Sequence, residues 1–125
     1  MRPVMLAFAL AGCAAPHAIA DSNRELASYT VGRVAGEPLR CIPATNSSEG
    51  LRAVDHRTVL YRSGGTNWLN QLQHDCPGLR PLATLVVDTV GSQYCRGDRV
   101  RPLEAGVATP RSVCVLGDFT PYRRP

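Results

Sequence analysis

From about residue 40 onward, short apolar runs alternate with clusters of Gly, Pro, Ser and Asn, a pattern typical of strands separated by turns. Residues 58–61 are of β-forming types, and Ser63-Gly64-Gly65 follows them as a reversal, because glycine adopts positive φ at little cost. Residues 66–72 then alternate in polarity, although Leu69 and Leu72 also have helical spacing. The pattern favours a β-hairpin over a helix here.

The remaining turns and strands follow on the same grounds. Cys76-Pro77-Gly78 predicts a type II turn, and Gly97-Asp98 predicts a tight reversal. Residues 82–87 are the most apolar stretch and predict the central strand. The other predicted strands are residues 41–42, 93–95, 99–103 and 112–119, whereas residues 51–54 are either a short strand or an extended lead-in. Six or seven short strands indicate a mainly β domain over residues 39–125, arranged as a small antiparallel sheet or barrel.

The first twelve residues have the pattern of a secretory signal. A basic start at Arg2 precedes an apolar run at residues 4–11, which is far shorter than the roughly 20 residues of a membrane-spanning helix. Leu10-Ala11-Gly12-Cys13 has the form of a bacterial lipobox, in which the signal is cut before a cysteine that carries a diacylglycerol. Cleavage at Ala18-Ile19-Ala20 is the alternative, and it would release a soluble protein that begins at Asp21.

Residues 13–38 are predicted to be the lipidated cysteine and a tether. Within them, Ser22-Asn23-Arg24-Glu25 has the form of a capping box that could open a short helix through Ser28. Tyr29 and Val31 alternate with small or polar neighbours, so the same stretch could instead join a sheet edge. Ala14, which follows the acylated cysteine, is not a retention-type Asp, and this favours the outer membrane.

The chain has five cysteines, and acylation or removal of Cys13 leaves an even number for disulfides. Two disulfides are therefore predicted, in an oxidising compartment. Of the three possible connectivities we favour a bridge between neighbouring strands and a second bridge from the start of the domain to its last strand, which are Cys76–Cys95 and Cys41–Cys114. The chain has no C-x-x-C, and its spacings resemble no common zinc pattern, so we expect neither a metal nor another cofactor.

All 14 basic side chains are arginine, and the formal net charge is +4. The arginines are spread along the chain and alternate with acidic residues, as in Arg96, Asp98 and Arg99, rather than forming a stripe. We therefore expect no nucleic-acid partner. A solvated surface accounts for these charges, and an anion site built from arginine is the alternative.

Candidates for acid–base chemistry are His56, which follows Asp55, and His74, which precedes Asp75. Adjacent residues on a strand point to opposite faces, and both pairs fall in predicted turns, where surface positions explain them. The chain also has no G-x-S-x-G elbow and no phosphate-binding loop, and its cysteines are accounted for. We therefore predict no catalytic residue.

Aromatic and arginine side chains on the predicted strands are candidates for an exposed recognition face, because such residues dominate binding hot spots. These residues are Tyr61, Arg62, Trp68, Tyr94 and Arg101. For Trp68, packing in the core is the favoured role and a place on this face is the alternative.

Several cysteine-containing segments carry a resemblance to a known group of proteins. They are residues 41–42, 52–55 with 58–60, 76–79, 94–98 and 114–119. In these segments the chain resembles a family of small uncharacterised proteobacterial envelope proteins, many of them apparent lipoproteins, which is described only by a domain of unknown function. The resemblance covers about residues 40–120. It implies a four-cysteine β domain in the envelope, and it implies no activity.

These observations predict a non-enzymatic lipoprotein on the periplasmic side of the outer membrane, held by the lipid on Cys13, that binds or supports an unidentified envelope component. A soluble periplasmic form is the alternative location. The alternative function is inhibition of an exported hydrolase, such as a lysozyme or protease, with residues 43–50 and 104–110 as the loops that enter its cleft. A third reading is an enzyme that depends on His56 or His74.

Overall fold

The structure is a computed structural model that describes residues 16–44, 50–103 and 112–125, with side chains from residue 23 onward. The described residues form one helix and ten strands, of which seven have three or more residues. In chain order they are α1 (Pro16–Thr30), β1 (Val34–Ala35), β2 (Cys41–Pro43), β3 (Arg52–Ala53), β4 (Thr58–Ser63), β5 (Thr66–Gln71), β6 (Thr84–Asp88), β7 (Gln93–Cys95), β8 (Arg99–Leu103), β9 (Cys114–Val115) and β10 (Phe119–Arg123). The mainly β prediction is confirmed.

Three antiparallel sheets enclose one hydrophobic core. The largest sheet has the order β1-β10-β5-β4-β3, a second sheet pairs β2 with β7, and a third has the order β6-β8-β9. Each sheet contributes fully buried side chains to the same cluster, namely Phe119 from the first sheet, Ile42 from the second and Val100 from the third. Because the three sheets bury side chains in one cluster, the stability of each depends on the others.

The β4–β5 hairpin is the best buried part of the fold. Ser63 pairs with Thr66 across a two-residue turn in which Gly64 has a φ of 58°. Residues 58–61 of β4 are all buried, since the common core covers one face of the sheet and α1 covers the other. Burial on both faces explains why this strand is a continuous β-forming run rather than an alternating one. The hairpin prediction is confirmed.

The second half of α1 packs on the outer face of the large sheet. Tyr29 is buried against Val54 and Leu60, and its carbonyl oxygen accepts a hydrogen bond of 3.0 Å from the side-chain amide of Asn67. The helix starts at Pro16, so residue 22 lies in its interior, and the capping-box start is wrong. Part of the segment that was assigned to the tether therefore belongs to the folded domain.

The stretch at residues 82–87 does not form the central strand. The observed strand is β6, at an edge of the third sheet, and its exposure alternates along its length. Leu82 is 91% exposed and lies in a turn with a φ of 69°. The prediction was wrong because apolar content alone does not show whether both faces of a strand are covered. The predicted last strand, residues 112–119, is likewise two strands, β9 and β10, separated by residues 116–118.

The disulfides are Cys41–Cys95 and Cys76–Cys114, so the pairing predicted from the sequence was wrong. Cys41 and Cys95 face each other across β2 and β7, with their Cα atoms 4.1 Å apart, close to the short spacing of an antiparallel pair. The prediction assumed that residues 76 and 95 lie on neighbouring strands. Residue 76 instead lies in the turn after β5, 5.7 Å from Cys114 between Cα atoms.

A buried amide joins β5 to the segment between β9 and β10. The Asn70 side chain donates to the carbonyl oxygen of Gly117 at 2.8 Å and accepts from the backbone N–H of Gly117 at 2.9 Å. Asn70 is fully buried, and these two bonds satisfy both ends of its amide. A Cβ atom at residue 117 would overlap the carbonyl oxygen of Gln71. The two backbone segments can therefore approach this closely only with glycine at residue 117.

The disulfide pairing can be tested by digesting unreduced protein with trypsin and a protease that cleaves before Asp. The four cysteines then fall in the separate fragments 41–52, 75–87, 88–96 and 112–117. We expect mass spectra of the unreduced digest to show fragment 41–52 linked to 88–96 and fragment 75–87 linked to 112–117. After reduction, each linked pair should be replaced by its two separate fragments. A link between 75–87 and 88–96 would contradict the structure.

The close packing at residue 117 predicts that Gly117→Ala lowers the free energy of unfolding by at least about 2 kcal/mol, because the methyl group overpacks a buried backbone contact. Gly65→Ala is the matched control, since a Cβ there meets nothing within 4 Å and its φ is not positive; its effect should stay within about 0.5 kcal/mol. Urea denaturation followed by Trp68 fluorescence measures both. Equal stability of the two variants would show that the Gly117 contact is not tight.

Candidate functional site

The predicted recognition face is not assembled. Tyr61 and Trp68 are only 1% and 7% exposed and belong to the core. Tyr94 is half-buried and packs edge-on against Tyr61, with ring centroids 5.4 Å apart. The prediction of an exposed face was wrong because these strands turn their aromatic side chains toward the shared interior. Trp68 packs in the core.

The two arginines of that predicted face lie apart from each other. The guanidinium of Arg62 stacks over the ring of Tyr29, 4.6 Å from its centroid, on the side of the sheet that α1 covers. Arg101 is on the third sheet and pairs with Asp88 at 2.9 Å. Both side chains therefore have local structural contacts rather than a common surface.

The two His–Asp pairs show no catalytic arrangement in the described contacts. The carboxylate of Asp55 accepts a hydrogen bond of 2.8 Å from the backbone N–H of Arg57, which is a local turn contact. Both histidines are exposed, and the carbonyl of His56 accepts from the backbone N–H of Cys76 at 2.7 Å. Within the described ranges, no three His, Cys, Asp or Glu side chains gather as a metal site would require.

The Tyr61–Tyr94 contact has an electrostatic consequence. Burial raises the pKa of the Tyr94 phenol above its ordinary value, because the charged phenolate would lose hydration, and the nearby Tyr61 phenol adds to the rise. Tyr61 is more deeply buried, and its hydroxyl has no hydrogen-bond partner among the described residues. The pair is a packing feature next to the Cys41–Cys95 bridge.

A cleft with three arginines opens where β1, β10 and the hairpin turn meet. This arginine cleft has a volume of about 550 Å³ and is lined by Arg33, Gly65, Thr66, Arg123 and Arg124. Val34 pairs with Arg123, and continuing that antiparallel register by one residue sets Arg33 across from Arg124. Strand pairing therefore gathers side chains that are about 90 positions apart in the sequence.

Two of these guanidinium groups are held by neutral partners. Nη1 of Arg33 donates to the carbonyl oxygens of Gly65 at 2.8 Å and Tyr122 at 3.1 Å. Nε of Arg123 donates to Oγ1 of Thr66 at 3.1 Å, and the Arg123 guanidinium lies 5.6 Å from the centroid of the Trp68 ring. These contacts fix the positions of both groups without neutralising their charge.

A second depression, the outer groove, lies on the outer face of the large sheet. Its volume is about 350 Å³, and its lining residues are Leu69, Gln71, Asp118, Thr120 and Tyr122. Its one carboxylate, that of Asp118, is paired with Arg96 at 2.9 Å. The groove therefore offers a mixed polar surface and no nucleophile paired with a base.

Residues 2–116 match the model of a family described as Family of unknown function (DUF6491). The chain belongs to this family. No curated protein and no solved structure matches the chain. The family carries no assigned activity, so the resemblance to a family of unknown function is confirmed, while its envelope location stays a prediction.

In this family member the matched residues end before β10 begins. Arg33 lies inside the match, whereas Arg123 and Arg124 lie beyond it. The composition leaves an arginine-built anion site open without indicating its residues, and the Arg123-Arg124 doublet is the only pair of adjacent arginines in the sequence.

Several predicted features lie outside the described residues. Cys13 and its lipobox are among them, as are most of the loops proposed for an inhibitor, apart from residues 43, 44 and 50. In the part of the chain that the structure describes, no helix has the length and apolar character needed to cross a membrane.

The raised pKa of Tyr94 predicts a stability loss at high pH. The unfolded phenol loses its proton near pH 10, whereas the folded one keeps it to higher pH. The free energy of unfolding should therefore fall as the pH rises above about 10. Between pH 8 and 12 the melting temperature of the wild type should fall more steeply with pH than that of Tyr94→Phe. Parallel plots of melting temperature against pH would contradict the raised pKa of Tyr94.

Proposed function

We propose that the protein is a non-enzymatic lipoprotein of the bacterial cell envelope that is anchored through Cys13. Its disulfide-bonded domain binds or supports another component on the periplasmic side of the outer membrane. The N-terminal signal pattern with its lipobox supports export and acylation.

The disulfide pattern is the observation that carries the proposal. The chain has five cysteines, and four of them form Cys41–Cys95 and Cys76–Cys114, which leaves Cys13 as the remaining one. Disulfides persist in exported compartments and are rare in the reducing cytosol, so the two bridges favour export. A single cysteine without a disulfide partner at the end of a lipobox is what an acylation site requires.

A binding role fits the chemistry of the domain better than catalysis does. The thiols of the domain are consumed in disulfides, so they are not available as nucleophiles. The exposed histidines have no described contact with an orienting carboxylate, and the Asp55 carboxylate is engaged with the Arg57 backbone. A rigid, cross-linked β domain with open clefts is suited to holding a partner at little entropic cost.

The mass of the protein extracted from the membranes of the bacterium that makes it tests the proposal. We expect the mature protein to begin at Cys13 and to carry diacylglycerol on that residue. The Cys13→Ser variant should lack this modified N-terminus. Ala20→Leu removes the competing cleavage site and should leave the anchored product unchanged. An unmodified product that begins at Asp21, recovered in the soluble periplasm, would rule out the anchor.

A further inference from the structure

The arginine cleft concentrates positive charge that no acidic side chain among its described lining residues offsets. Its lining contains three arginines and neither Asp nor Glu. Elsewhere in the described residues arginines do find carboxylates, in the ion pairs Arg52–Glu25, Arg96–Asp118 and Arg101–Asp88. The cleft therefore departs from the alternating charges of the rest of the surface, and its potential favours an anion.

The guanidinium groups keep donors for a ligand after their internal contacts are made. A guanidinium has five N–H donors. In the described contacts Arg33 uses Nη1, and Arg123 uses Nε and stacks near Trp68. Their other donors remain for an anion, and Arg124 is exposed at the same cleft. Two guanidinium groups held by internal contacts and a third with no described contact suit an anion with several oxygen atoms.

We propose that the arginine cleft binds a phosphate group, either as free phosphate or as the headgroup of a lipid. Inorganic phosphate and phosphate monoesters offer three or four oxygens to the planar N–H forks of arginine and carry more charge than a carboxylate, whereas a lipid phosphodiester offers two free oxygens and one charge. The cleft volume of about 550 Å³ leaves room for a group esterified to the phosphate. The proposal deepens the binding role proposed above and rests on it for biological context, whereas the site itself does not depend on the lipid anchor.

A fluorescent reporter lies beside the cleft, below Arg123. Trp68 is the one tryptophan of the chain, and the Arg123 guanidinium lies 5.6 Å from the centroid of its ring. An anion that engages Arg123 changes the electrostatic field at the indole, so binding should change the Trp68 fluorescence.

The test titrates the purified full chain, in neutral detergent and at constant ionic strength, with sodium phosphate and separately with glycerol 1-phosphate and with glycerophosphoglycerol. We expect a saturable change in Trp68 fluorescence with at least one of these probes. Sodium chloride over the same range of ionic strength should give no saturable change. A linear response to every probe would overturn the proposal.

Arg124→Gln is the decisive variant, because no described contact within the fold depends on this side chain. Loss of one charge-assisted hydrogen bond should weaken binding about tenfold, and Arg124→Glu should weaken it further. Arg99→Gln removes the same charge from an exposed position on β8 and should bind like the wild type. If Arg99→Gln and Arg124→Gln weakened phosphate binding equally, the effect would come from net charge alone. That result would overturn the proposed site.

The three probes distinguish the source of the phosphate. Tighter binding of glycerol 1-phosphate or glycerophosphoglycerol than of inorganic phosphate indicates a lipid headgroup, and the reverse order indicates the free ion. Either order supports the phosphate site. Failure of all three probes in a protein that still carries lipid on Cys13 would refute the cleft and leave the proposed envelope role standing.

Discussion

The Cys76–Cys114 bridge is the constraint on which the arrangement of the sheets depends. Cys76 lies in the turn just after the central hairpin, and Cys114 lies on β9 of the third sheet, so the bond ties the two halves of the core together. The second bridge, Cys41–Cys95, closes the two-stranded sheet of β2 and β7. The bridges join residues 38 and 54 positions apart, and loop-closure entropy assigns each a stabilisation of about 4 kcal/mol. That is a large part of the stability of a domain this small.

Noncovalent contacts also hold the sheets together. The Asn70–Gly117 hydrogen bonds hold the segment after β9 against β5, and β10 then pairs with β5 along most of its length. The pairing of β1 with the end of β10 brings Arg33 to the arginine cleft. The candidate binding site therefore depends on strand pairing between residues that are far apart in the sequence.

Local patterns predicted the local structure well. The hairpin at Gly64, the turn at Gly78 and the strands around Ile42, Tyr94 and Val100 are all present, since each depends on residue types within a few positions. The central strand and the disulfide pairing were predicted wrongly. Both depend on which strands become neighbours, and neither apolar content nor cysteine spacing carries that information.

The same distinction applies to function. Exposed aromatic residues could be proposed from composition, but Tyr61 and Trp68 are buried because the sheets close over them. The arginine cleft could not be located from the sequence, because Arg33 and Arg123 meet only through the pairing of β1 with β10. The residues from which export is predicted, by contrast, are contiguous in the sequence.

The central claim is that two disulfide bonds, formed outside the reducing interior of the cell, hold the domain together. Titration with Ellman's reagent, on protein taken from the cell without reductant and then unfolded, tests this claim most directly. No reactive thiol per chain is expected, because the four cysteines of the domain are bridged and the proposed acylation would block Cys13. Four reactive thiols per chain would contradict it.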